Sequence, residues 1–146
     1  MKRPRKVIAG VWRALRPGGR FVAEFGGGHN VKAVITAISS GLAARRIDAQ
    51  AVCPWYFPEP EAYHTLLEDQ GFEVKDITLF ERPTPLPGHL KAWLETFAQS
   101  FTKTLPEADQ AVFLDEVCAR VESQLHTDDG WFVDYVRLRF AAEKPL

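Results

Sequence analysis

The chain has 146 residues, 46% of them apolar and 25% charged, which is the make-up of one globular domain and excludes disordered and fibrous classes. A net charge of −1 gives no sign of the nucleic-acid footprint, which needs a basic face and usually a high pI. Two cysteines, Cys53 and Cys118, lack metal-ligand spacing and read as reduced thiols, no apolar run reaches the length of a membrane span, and no signal peptide is visible, so the cytoplasm is the expected compartment.

The one basic cluster, Lys2 to Lys6, reads as a solvated terminus. A first helix is predicted from Pro4 to Leu15, with Val7, Ile8, Val11, Trp12 and Leu15 on one face and Arg16-Pro17-Gly18-Gly19 stopping it. Phe21 to Phe25 reads as a short strand buried on both faces, broken by Gly26 to Gly28. Asn30 is placed to cap a second helix whose apolar face is Val31, Val34, Ile35, Ile38 and Leu42. An irregular aromatic segment runs from Val52 to Phe57. A third helix follows from Pro60 to Gln70, ended by Gly71, and then a strand from Phe72 to Phe80.

The proline-rich stretch 82–88 reads as a stiff connection. Two helical patterns follow, one through Leu90, Trp93, Leu94, Phe97 and Phe101, the other through Leu114, Val117, Val121 and Leu125. After a turn at Thr127 to Gly130, Val133 to Ala142 alternates as a strand, with Leu138 and Phe140 on one face and Arg137 and Arg139 on the other. The order helix-strand-helix-helix-strand-helix-helix-strand predicts an α/β fold with about three strands and flanking helices.

The stretch Glu24-Phe-Gly-Gly-Gly28 admits two readings. As a cofactor loop it would present backbone N–H groups to a ligand, with Asp48 about twenty positions on for ribose hydroxyls. The G-x-G-x-x-G spacing fails, however, and Asp48 lies in Arg45-Arg-Ile-Asp-Ala, which looks like a helix end.

The second reading starts in front of the strand. Val11-Trp-Arg-Ala-Leu-Arg-Pro-Gly-Gly-Arg-Phe-Val-Ala-Glu24 resembles the helix, Pro-Gly-Gly turn and fifth strand of class I S-adenosylmethionine-dependent methyltransferases. Glu61 to Val74 resembles that family's last helix and sixth strand, and Asp134 to Lys144 its antiparallel seventh. The resemblance implies a partial Rossmann-like sheet, the carboxyl-terminal half of a methyltransferase fold, as one domain with a helical cap inserted at about 84–127. It leaves the family's donor-binding elements, which precede the fifth strand, without a counterpart. S-adenosylmethionine is then the family's cofactor but is not expected to bind this chain alone, which would be inactive by itself. A split enzyme completed by another chain and a non-enzymatic interaction module remain open.

On this resemblance the acceptor side comprises Glu24, Gly26, Gly27, His29 and Asn30, with Trp55 and Tyr56 as aromatic cover for a small-molecule acceptor. No catalytic residue and no metal site are singled out. Asp134 and Arg137 read as an ordinary surface pair. With no further strand beside it, Phe21 to Phe25 would leave a bare sheet edge, which predicts a homo-oligomer closing that edge.

Overall fold

The computed structural model describes residues 2–146 and divides into two compact units, one of residues 2–30, 55–82 and 136–146, the other of residues 31–54 and 83–135.

The first unit holds helix α1 (Pro4–Ala14), strand β1 (Arg20–Gly26), helix α4 (Pro60–Gln70) and strands β2 (Glu73–Glu81) and β6 (Val136–Glu143). Its sheet has the order β1-β6-β2, and β6 runs antiparallel to both neighbours, so β1 and β2 are parallel to each other. The last strand is therefore antiparallel, as the sequence led us to expect. The core gathers Ile8 of α1, Tyr63 and Leu67 of α4, Phe72, and Leu138, Phe140 and Ala142 of β6. Phe21 meets Phe140 edge-on at 4.8 Å, and Trp12 meets Phe72 edge-on at 4.9 Å.

Only one face of β1 is covered. Phe21, Ala23 and Phe25 pack on the core, while Val22 remains 57% exposed, which corrects the expectation of burial on both faces. A strand with only one face in the core alternates, and the polar side here carries Glu24.

The Arg16-Pro-Gly-Gly19 turn locks α1 to the end of β6. Gly18 adopts φ +78° and donates its N–H to the Lys144 carbonyl at 2.7 Å, and the Lys144 N–H returns a bond to the Gly19 carbonyl at 2.9 Å. The Lys144 ammonium reaches the carbonyls of Trp12 and Leu15 at 2.8 and 2.9 Å and lies 4.7 Å from the Trp12 ring centre. It thus supplies a cation and donors at the carbonyl end of α1.

The second unit holds α2 (Lys32–Ala43), α3 (Ala49–Val52), β3 (Thr84–Pro85), α5 (Leu90–Phe97), α6 (Gln99–Thr102), α7 (Glu107–Leu125), β4 (His126–Thr127) and β5 (Gly130–Val133). Helices α2 and α7 pack through Val34, Ile38 and Leu42 on one side and Phe113, Val117 and Val121 on the other. Gly41 lets the Phe113 ring come close, since a Cβ there would meet it at 2.8 Å. The expected continuous helix through Phe101 is broken at Ala98 into α5 and α6. The long final strand is likewise two strands, β5 and β6, interrupted at Asp134 and Tyr135. β5 instead joins a small sheet of order β3-β5-β4.

Candidate functional site

The three glycines at the end of β1, Gly26 to Gly28, are set by space. None of them adopts a positive φ. A Cβ on Gly26 would meet Asn30 Nδ2 at 2.6 Å and the Phe57 ring at 2.7 Å. On Gly27 it would strike Leu79 Cδ1 and stand 2.9 Å from Leu138 Cβ, and on Gly28 it would strike the Glu59 carboxylate. The loop's amides are also engaged. Gly27 donates to the Val136 carbonyl, Gly28 to that of Pro58 and Asn30 to that of Gly27, at 2.9–3.0 Å. A cradle for a ligand's anionic group needs free, convergent N–H groups, and these three point into the protein.

The structure brings part of the expected site together. Gly26, Gly27 and Asn30 are buried, with Phe57 against Gly26 and Glu59 against Gly28. His29 is exposed, adopts φ +66° and has its Nε2 3.8 Å from Glu59 Oε1. Trp55 stacks on Phe57, ring centres 5.9 Å apart, so it belongs to the same side of the loop. Tyr56 does not. It packs on the core and lines a separate hollow with Pro4, Ala62 and Leu66, where burial raises its hydroxyl pKa. Glu24 lies on the polar face of the sheet, where its Oε1 accepts from Arg82 at 3.0 Å and from Arg137 at 3.3 Å. The basic cluster at Lys2 to Lys6 rims the Tyr56 hollow, and Arg5 pairs with Asp69 at 3.0 Å.

Asn30 does not cap α2. Its Oδ1 accepts the Val136 N–H at 2.7 Å, and its amide holds the start of β6 instead. The residue preceding α2 is Val31, buried and left-handed at φ +48°, a conformation that a β-branched side chain rarely takes. The cap comes from far along the chain: Asp134 Oδ2 accepts the Ala33 N–H at 2.9 Å, and the Asp134 carbonyl accepts the Val31 N–H at 3.0 Å. Asp134 is thus a helix cap and Arg137 a partner of Glu24, which corrects their reading as a pair. The Asp134 Oδ1 is buried without a hydrogen-bond partner, and burial raises the carboxyl's pKa against the lowering by its Ala33 bond. Sequence reasoning read Asp134 only as a surface partner of Arg137; the signal for its capping role was an acid inside an otherwise alternating strand pattern. Asp48 is likewise a cap, its carboxylate accepting the Gln50 N–H at the start of α3.

Among the described residues no three His, Cys, Asp or Glu side chains gather to hold a metal ion, and no helix is long and apolar enough to cross a membrane.

Helices packed on a sheet whose antiparallel last strand lies between two parallel ones make the partial α/β sheet that the sequence suggested. Comparisons with known proteins agree. Over 99% of its length the chain is 36% identical to an uncharacterized methyltransferase of Schizosaccharomyces pombe, of which it covers 58%. Its fold matches the crystal structure of a proposed methyltransferase of Bacillus halodurans with a TM-score of 0.56 at 12% identity, covering 99% of this chain and 64% of that one. No protein-family model matches. The chain is a relative of the methyltransferases and fits the carboxyl-terminal half of their fold. It spans less than two thirds of the length of either protein.

Proposed function

We propose that this chain supplies the acceptor side of an S-adenosylmethionine-dependent methyltransferase and does not hold the methyl donor by itself. The observation that carries the reading is the glycine loop: its amides and the space beside its α-carbons are taken by the protein, and Asp48 caps a helix. The stretch that most resembles a donor loop therefore spends its Gly27 and Gly28 amides within the protein rather than on a donor. S-adenosylmethionine, when bound by a complete enzyme, supplies the electrophilic methyl group. The acceptor-side residues would position a nucleophile in line with it, and positioning supplies much of the rate in such reactions.

Of the candidates, His29 and Trp55 offer exposed or half-exposed surface to an acceptor, beside Glu59. Gly26, Gly27 and Asn30 fix the loop's course beneath them, and Glu24 holds Arg82 and Arg137 on the sheet face. Tyr56 would serve a site other than this loop. The helical segment at about 84–127 would act as an inserted cap that selects the acceptor.

β1 is the outer strand of its sheet, with Val22 largely exposed. Such an edge recruits another strand, and we propose that a second copy of this chain closes it. A methyl-transfer assay with S-adenosylmethionine and a panel of small acceptors tests the proposed function. The chain alone should give no turnover above background; turnover that survives repurification and scales with its concentration would contradict the proposal.

A further inference from the structure

The second unit contains a groove lined by none of the acceptor-side residues named at the glycine loop. It runs between α2 and α7 and encloses about 590 Å³, within the few hundred to a thousand Å³ typical of small-ligand sites. Its construction follows from helical spacing. Lys32, Thr36 and Ser40 stand four residues apart and form one wall along α2. Ala33 and Ala37 of α2 and Val121 of α7 contribute its apolar parts, and Arg120 and Gln124 the polar edge along α7. Asp134 also lines the groove.

The polar groups of this groove are unspent. The side chains of Lys32, Thr36, Ser40 and Gln124 make no hydrogen bond within the described residues. Arg120 sits one helical turn from Glu116, but Glu116 is held by Arg45 in a two-point pair at 2.9 and 3.0 Å, so Arg120 also lacks a hydrogen-bonded partner among the described residues. Of the Asp134 carboxylate, Oδ2 accepts the Ala33 amide and Oδ1 is buried without a partner. Two cations, Lys32 and Arg120, against the one carboxylate of Asp134 leave the lining with one net positive charge.

We propose that this groove binds a small monoanionic ligand, a carboxylate with an apolar body. The anionic group would bridge Lys32 and Arg120, the two walls' cations, and the apolar body would lie along Ala33, Ala37 and Val121. Small side chains let a ligand approach the helix backbone closely, and the hydroxyls of Thr36 and Ser40 can donate to further oxygens. A dianion is disfavoured because Asp134 lies in the same lining.

The test is an NMR titration of the ¹⁵N-labelled chain with benzoate, benzamide and inorganic phosphate in parallel. Benzoate should produce saturable shifts confined to residues 32–40, 120–124 and 134. Benzamide, which has the same ring and no charge, should bind about tenfold more weakly, the cost of one charge-assisted hydrogen bond. Phosphate alone should also bind more weakly than benzoate, since it leaves the apolar floor uncovered. Lys32→Gln and Arg120→Gln are exposed changes that should leave the thermal melt unaltered and each weaken benzoate by about tenfold. Absence of saturable shifts up to the solubility limit, equal binding of benzamide, or unchanged affinity in both variants would overturn the proposal. None of these outcomes bears on donor binding or methyl transfer, so this inference and the proposed function fail independently.

Discussion

Alanine at each of Gly26, Gly27 and Gly28 should separate a glycine loop built for packing from one built for a ligand. The backbone at all three is ordinary, so no left-handed strain enters and the neighbours decide the cost. At Gly27 a methyl group meets Leu79 Cδ1, Leu138 Cβ at 2.9 Å and the Leu138 amide nitrogen at 3.2 Å. Leu138 is a fully buried residue of the central strand β6 and cannot yield without moving the sheet. Overpacking of this kind costs about 2–3 kcal/mol. At Gly26 the methyl meets Asn30 Nδ2 and the Phe57 ring; displacing them disturbs the Asn30–Val136 bond, for about 1–2 kcal/mol. At Gly28 it meets only the Glu59 carboxylate, whose side chain is 52% exposed and free to swing out. The reduced freedom of the unfolded chain then offsets the contact, and the net change should stay within about 0.5 kcal/mol. Urea unfolding of the three variants reads the order directly. Equal costs at all three positions, or Gly28→Ala as the worst, would refute the packing account.

Other perturbations follow from the same geometry. Asp134→Ala removes the cap of α2 and should destabilise the chain by about 1 kcal/mol in urea unfolding, as for other lost caps. The raised carboxyl pKa of Asp134 means that the folded chain holds this proton more tightly than the unfolded one, so its contribution falls as pH rises from the ordinary carboxylate range through the raised folded value. Asp134→Asn should flatten that part of the stability-against-pH curve; an unchanged curve would count against the burial of Oδ1. Lys144→Met deletes two bonds to the carbonyl end of α1 and should cost about 1–2 kcal/mol, measured by the same unfolding transition. Cys118 is buried with its thiol pushed up to about 11 by desolvation, so iodoacetamide at pH 8 should modify Cys53 in the native chain and reach Cys118 only on unfolding, as mass spectrometry would show. Val22→Lys places a charge on the exposed edge strand, and sedimentation should show it dissociating the expected dimer; a wild-type chain that is monomeric throughout would remove the need for edge closure.

What the sequence made legible was local. Pro4 and Gly71 punctuate α1 and α4 through backbone preferences of single residues, and the alternation of Leu138, Phe140 and the two arginines marks β6 by its period of two. The Pro-Gly-Gly turn was recognisable because its geometry needs those residues at that place. What stayed hidden depends on partners distant in the chain. Asn30 has the chemistry of a cap, yet its amide is taken by Val136, 106 residues on, while the cap of α2 arrives from Asp134, 101 residues beyond Ala33. No local pattern distinguishes these outcomes. The breaks at Ala98 and at Asp134 were missed for a related reason: apolar periodicity can carry across a change of direction and does not mark where one segment ends and the next begins. At the site, the glycines were visible but their purpose was not, because Leu79, Leu138 and Glu59 lie outside the loop.

The claim at the centre of this account is that the chain carries the acceptor side of a methyltransferase fold without a donor site. Calorimetric titration of the purified chain with S-adenosylmethionine tests it most directly. The account predicts no saturable heat, with dissociation weaker than about 1 mM, a binding free energy no better than about −4 kcal/mol. A micromolar, one-to-one isotherm would contradict it, because the donor would then be held by residues that the structure shows engaged with one another.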